Sequence, residues 1–168
     1  MIRAVVFDWA DTVMRDFGLK GCMADWPQVE AMPGIEAALA ALSSRYRLAL
    51  ATNAADSGEV RVREALARVG LERFFEKVLT ARELGVSKPS REFFQAVLAR
   101  RGCAPGEAVM VGDSFTADVE GAKAVGMRAV WLSWRGAPPP RPSADLVLGS
   151  LEGLCAGVDR LAEPSAAS

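Results

Sequence analysis

The chain contains no histidine and only three cysteines. Without an imidazole there is no Ser-His or Cys-His catalysis, no phosphohistidine chemistry and no zinc site with histidine ligands. Any catalysis must run on carboxylates, hydroxyls, lysine or a metal. Cys22, Cys103 and Cys155 are odd in number and widely spaced, which argues against a disulfide framework or a CxxC metal site and fits a reducing compartment. There is no basic run, and a formal charge of −1 leaves the chain without the electrostatic footprint of a nucleic-acid binder. No apolar stretch has the length of a membrane span, and no signal-peptide pattern follows Met1. A soluble cytoplasmic protein, binding neither nucleic acid nor membrane, is the expectation.

What is present is ample apolar material, 51% of 168 residues, enough for one domain with a sheet buried on both faces. Short apolar runs recur at Arg3–Asp8, Tyr46–Thr52, Lys77–Thr80, Ala108–Gly112 and Arg128–Leu132, with a last strand at Asp145–Leu148. Helical spacing separates them. Pro33 is read as the first residue of a helix that places Ile35, Leu39 and Leu42 on one face. Further helices are expected over Val60–Val69, Glu92–Arg101 and Thr116–Val125, with glycines closing several of them. This alternation predicts right-handed βαβ units, a parallel sheet and a three-layer Rossmann-like α/β fold. Residues 1–163 are expected to form the single domain, with a short polar insert at about 14–32 and a disordered tail at 164–168. The proline-rich stretch from Arg135 to Pro142 reads as a stiff extended connection.

In such sheets, ligands bind beyond the carboxyl ends of the strands. Four motifs fall at or near those ends: Phe7-Asp-Trp-Ala-Asp-Thr-Val13, Thr52-Asn53, Ser87-Lys-Pro89 and Val111-Gly-Asp-Ser-Phe-Thr-Ala-Asp118. A carboxylate attacks phosphorus only when its repulsion with the phosphate is neutralised by cations. Asp8 and Asp113 offer hard oxygens suited to Mg²⁺, and Lys88 supplies a second cation placed by Pro89 at the start of a helix. Thr52 and backbone amides near Asp8 and Asn53 can bind the transferring phosphoryl oxygens. Asp118 opens a helix, where a carboxylate also serves as a plain first-turn residue.

Taken in this order, the motifs resemble those of the haloacid dehalogenase superfamily, over nearly the whole stretch from Val5 to Leu132. The resemblance implies a Mg²⁺-dependent phosphatase acting on small phosphorylated substrates. Asp8 would be the nucleophile, forming an aspartyl-phosphate intermediate. Asp8, the Ala10 carbonyl and Asp113 would hold the metal, and Thr52, Asn53 and Lys88 the phosphate. Asp118 would hold Lys88 or, with Ser114, the metal's water shell.

Two departures stand out. Where the family's phosphatases usually carry an acid/base aspartate, two residues after the nucleophile, this chain has Ala10, and loss of such a group removes roughly 10²- to 10⁴-fold of rate. Asp11 is either its replacement or an ordinary turn residue. Asp8-Trp-Ala10 also resembles the first motif of phosphonoacetaldehyde hydrolases, which need a cap lysine, and Lys20 is the only lysine in the insert. A catalytically weak fold that binds a phosphorylated ligand or partner is the alternative of another class. Dehalogenation leaves Asp113 without a purpose. The second departure is the cap: once the helix opened by Pro33 is assigned to the core, only a short insert remains. An open site follows, receiving larger substrates or covered by a second subunit of a homodimer. Trp9, Phe17 and Trp26 either pack or line its rim.

Overall fold

The computed structural model describes residues 1–138, 140 and 144–163. Strands β1 (Ala4–Phe7), β2 (Arg47–Thr52), β3 (Lys77–Thr80), β4 (Ala108–Gly112), β5 (Arg128–Leu132) and β6 (Leu146–Leu148) form one sheet in the order β3-β2-β1-β4-β5-β6. Every pairing is parallel. Parallel neighbours need crossovers, and helices supply them: α1 (Ile35–Ser43), α2 (Glu59–Arg68), α3 (Ala81–Leu84), α4 (Arg91–Arg101), α5 (Gly121–Ala124) and a terminal α6 (Leu154–Ala162).

The strands are apolar on both faces because both faces are covered. Val5, Phe7, Leu48, Leu50, Val109 and Val111 belong to a core shared with α1, α2 and α6. Their strand neighbours Val6, Ala49, Ala51 and Met110 pack on the other side against Phe93, Phe94 and Val97 of α4. The three-layer α/β architecture is the one the alternating runs predict.

Helix starts differ from the sequence reading. Pro33 is not the first helical residue: Gly34, in a left-handed conformation at φ 83°, occupies the cap and Ile35 begins α1. Pro89 likewise precedes the cap of α4, where the Ser90 hydroxyl accepts the Phe93 amide and moves the start to Arg91. The helix expected over Thr116–Val125 opens one residue earlier, as a π-helical turn from Phe115 to Glu120 that runs into α5. The stiff connection expected from Arg135 to Pro142 falls partly, and the tail 164–168 wholly, outside the described residues.

The insert at 14–32 carries one short 3₁₀ turn, Met23–Asp25. Its two ends meet in an antiparallel bridge between Met14 and Ala31, reinforced by the Arg15 amide donating to the Glu30 carbonyl. Arg68 of α2 reaches across to the carbonyls of Met23, Ala24 and Trp26, and Arg61 of the same helix pairs with Asp25, so two guanidiniums help fasten the insert to the body. Trp9 and Trp26 are buried in the core, whereas Phe17 is exposed. Among the described residues no helix is long and apolar enough to cross a membrane.

Candidate active site

β1 and β2 lie on one side of the point where the strand order reverses and β4 on the other, so the crevice opens beyond the ends of β1 and β4. Phe7 pairs with Val111, which brings Asp8 and Asp113 together just past the sheet. Carboxylate oxygens of Asp8, Asp113 and Asp118 all lie within 4.8 Å of one another.

Lys88 sits among them almost fully buried. Its ammonium donates to Asp8 Oδ1 at 2.6 Å, to Asp118 Oδ1 at 2.7 Å and to the Ala51 carbonyl at 3.0 Å, so all three of its donors are used. The main chain of Lys88 is fixed as firmly. Asn53 accepts the Lys88 amide at 2.7 Å and donates to its carbonyl at 3.0 Å. The Asn53 side chain is therefore a clamp on the loop that carries the lysine.

Asp118 uses its second oxygen to accept the Ser114 amide at 3.1 Å. Both its oxygens are engaged, which fits a positioning role rather than a free ligand. Ser114 caps the π-helical turn by accepting the Ala117 amide, so its hydroxyl too is in local use. Gly112 is dictated by this packing: a Cβ there would stand 2.1 Å from Asp118 Oδ2. We expect Gly112→Ala to displace Asp118, lower stability by about 1–3 kcal/mol and depress turnover through Lys88. Thermal unfolding and steady-state rates measured together check this, and an unaltered pair of values would refute the steric reading.

Thr12 was not singled out by sequence reasoning. It is fully buried, and its hydroxyl lies 3.4 Å from both Asp8 Oδ2 and Asp113 Oδ1, bridging the two carboxylates. The available signal was a hydroxyl residue inside the first motif, four positions after Asp8. Asp11 adopts φ 54°, and its carboxylate accepts the Asp16 amide at 2.9 Å, which makes it a loop cap. The indoles of Trp134 and Trp131 hold the surroundings by donating to the carbonyls of Asp11 and Asp113.

Three carboxylates against one ammonium leave an excess of negative charge. Burial, then the Asp8 and Asp11 charges, push Asp113 up to about 6. Burial and the Asp8 charge push Asp118 up to about 7, with Lys88 opposing. Burial disfavours the charged form of Lys88, but the two carboxylates outweigh it and raise its pKa. The donor set is hard oxygen, one ammonium is too little to balance its carboxylates, and the Ala10 carbonyl accepts no hydrogen bond among the described residues. These features suit a divalent cation such as Mg²⁺ at Asp8, Asp113 and the Ala10 carbonyl.

The sequence profile described as haloacid dehalogenase-like hydrolase matches residues 11–132. The chain belongs to that family. Among curated relatives, a phosphoserine phosphatase of Thermus thermophilus is 43% identical over 122 residues, 71% of this chain and 47% of that protein. A glyceraldehyde 3-phosphate phosphatase of Methanothermobacter thermautotrophicus is 37% identical over 91 residues, 54% of this chain and 39% of its own length. The chain thus spans about half or less of these curated relatives. Solved structures match the fold over more than nine-tenths of the chain. An uncharacterized protein from Listeria monocytogenes aligns with a TM-score of 0.83 at 21% identity, covering 96% of this chain and 99% of the other. A HAD phosphatase from Thermococcus onnurineus aligns with a TM-score of 0.74 at 24% identity, covering 91% and 96%.

Proposed function

We propose that this family member is a Mg²⁺-dependent hydrolase of small phosphate monoesters, working through an aspartyl-phosphate at Asp8. The observation that carries the reading is the Lys88 ammonium held between Asp8 and Asp118, with Asp113 alongside at the strand ends. The curated relatives' names support phosphate esters as the substrate class. Three unpaired cysteines agree with a reducing, cytoplasmic setting. At the open crevice, beside exposed Phe17 and Leu19, we place the covering second subunit of a homodimer.

In this reading an Asp8 oxygen attacks phosphorus, the ester P–O bond breaks, and the alcohol departs with a proton taken from water. Water then attacks the acyl phosphate, releasing phosphate and restoring Asp8. Lys88 holds the Asp8 carboxylate in place and neutralises part of its charge. Thr52 is buried at the crevice wall, and in this reading its hydroxyl binds a phosphoryl oxygen while Asn53 fixes Lys88 and offers its backbone amide to the phosphate. A bound Mg²⁺ supplies Lewis-acid polarisation of the phosphoryl oxygens and offsets the carboxylate charge.

Turnover of p-nitrophenyl phosphate that requires Mg²⁺ and stops with EDTA tests the reading, and a metal-indifferent rate would overturn it. Ala10 favours a second reading, a weak catalyst serving as a phosphate-binding module. Ala10 lines the crevice with Asp8, so Ala10→Asp restores a proton donor over the leaving oxygen. An aryl leaving group needs little protonation, whereas an alkyl one depends on it. If the protein is a degraded catalyst, this variant gains roughly 10²-fold or more on alkyl esters and much less on aryl ones. A loss on both would show a native chemistry that has no use for the acid. The phosphonate alternative is less well supported, because Lys20 stays off the crevice wall.

A further inference from the structure

The crevice over Asp8 encloses about 290 Å³, a volume at the small end for ligand sites, and its described walls carry no lysine or arginine. The insert contributes Asp16, Leu19 and Trp26, and the loop after β2 contributes Asp56. Asp16 spends one carboxylate oxygen on the Gly18 amide and Asp56 one on the Ser57 hydroxyl. The other oxygen of each has no partner among the described residues. Trp9 and Trp26, largely buried, border the same space with their N–H groups committed to the Met14 sulfur and to the carbonyls of Lys20 and Gly21, so neither offers a polar group to a ligand.

Most nearby cations are already engaged; the ammonium of Lys20, between wall residues Leu19 and Gly21, has no partner among the described residues, but Lys20 does not line the crevice. Lys88 is consumed by Asp8, Asp118 and Ala51, Arg61 by Asp25 and Glu64, and Arg68 by insert carbonyls. Arg82 donates to the Asp56 carbonyl. Arg135 lines a separate groove beside Asp113 and Trp134. A phosphoryl group anchored at Asp8 would therefore extend its alcohol part between two carboxylates and two indoles. A second anion there meets like charge with no lysine or arginine on the crevice wall to offset it, whereas an ammonium meets opposite charge.

We propose that the site selects small phosphomonoesters whose alcohol part carries an ammonium group and no second anion. This rests on the hydrolase reading above and adds to it the charge of the leaving group.

The test compares kcat/KM of the full chain in Mg²⁺ for three esters of similar length: O-phosphoethanolamine, ethyl phosphate and phosphoglycolate. The expected order is cationic, neutral, anionic, with the extremes separated on the order of tenfold or more. Added salt narrows the gap, because the two carboxylates are exposed and screened. The separation shrinks in Asp16→Asn and Asp56→Asn and collapses when the two are combined, while Arg135→Ala leaves the order unchanged. Salt dependence of the unmodified protein gives the same information without any variant. Equal rates for the three esters, or a preference for phosphoglycolate, overturn the inference. A phosphoglycolate preference that disappears in Arg135→Ala overturns it by moving the leaving group to the Asp113-side groove. Turnover of p-nitrophenyl phosphate accompanied by either result sinks this inference alone; no turnover of any ester sinks the hydrolase reading with it.

Discussion

Asp8→Asn is expected to lower turnover of p-nitrophenyl phosphate by at least about 10⁴-fold while leaving the fold intact. The amide oxygen of asparagine still accepts the Lys88 ammonium, now 2.6 Å from Asp8 Oδ1, so the buried lysine keeps its acceptors. What is lost is the anionic oxygen that forms the bond to phosphorus. The variant also removes one of three mutually repelling carboxylates, which eases the burden on Asp113 and Asp118. Melting temperature should therefore stay within a few degrees of the parent, and a hydroxylamine-sensitive phosphoryl adduct seen in the parent should be missing. Rates near those of the parent, in a variant verified by mass, would remove Asp8 from the chemistry.

The parts of the site that the sequence made legible are those set by strand ends. Asp8, Thr52 and Asp113 each follow an apolar run, and apolar runs become parallel strands only when both faces are covered, so their polar successors emerge along one edge. Lys88 and Asp118 were harder, since each stands in a loop or first turn where a solvated charge is ordinary. Only the tertiary fold brings them to 2.7 Å. Thr12 and the Ala51 carbonyl escaped because nothing in their spacing separates a site hydroxyl or carbonyl from any other. The side-chain role of Asn53 escaped for a related reason: an asparagine after a strand is also an ordinary turn residue, and only the fold matches its amide to the Lys88 main chain across 35 positions of sequence. Helix starts moved because a cap depends on local backbone geometry, as at Gly34 and Ser90, more than on the nearest proline.

The buried lysine decides stability as well as chemistry, and Lys88→Met isolates that contribution. Methionine keeps much of the volume but leaves Asp8 and Asp118 facing each other and Asp113 with no cation among them. Breaking a buried ion pair from one side costs about 3–5 kcal/mol, so the variant should unfold at clearly lower urea at pH 8 in EDTA. The pH dependence has a definite sign. Asp113 and Asp118 are already pushed up to about 6 and about 7, from an ordinary value of 3.8. A carboxylate whose folded pKa exceeds its unfolded one binds protons more tightly in the native state, so the stability it contributes falls as pH rises from 3.8 through the folded value. Without Lys88, Asp118 loses the charge that opposes its shift and is raised further. The penalty of the substitution should then be small near pH 4, grow through pH 7 and be partly reversed by Mg²⁺, which replaces the missing positive charge. Urea midpoints of parent and variant, taken at pH 4.5 and pH 8 with and without Mg²⁺, check each step. A penalty independent of pH would mean that Lys88 acts by packing and that the carboxylates are not held together against their charge.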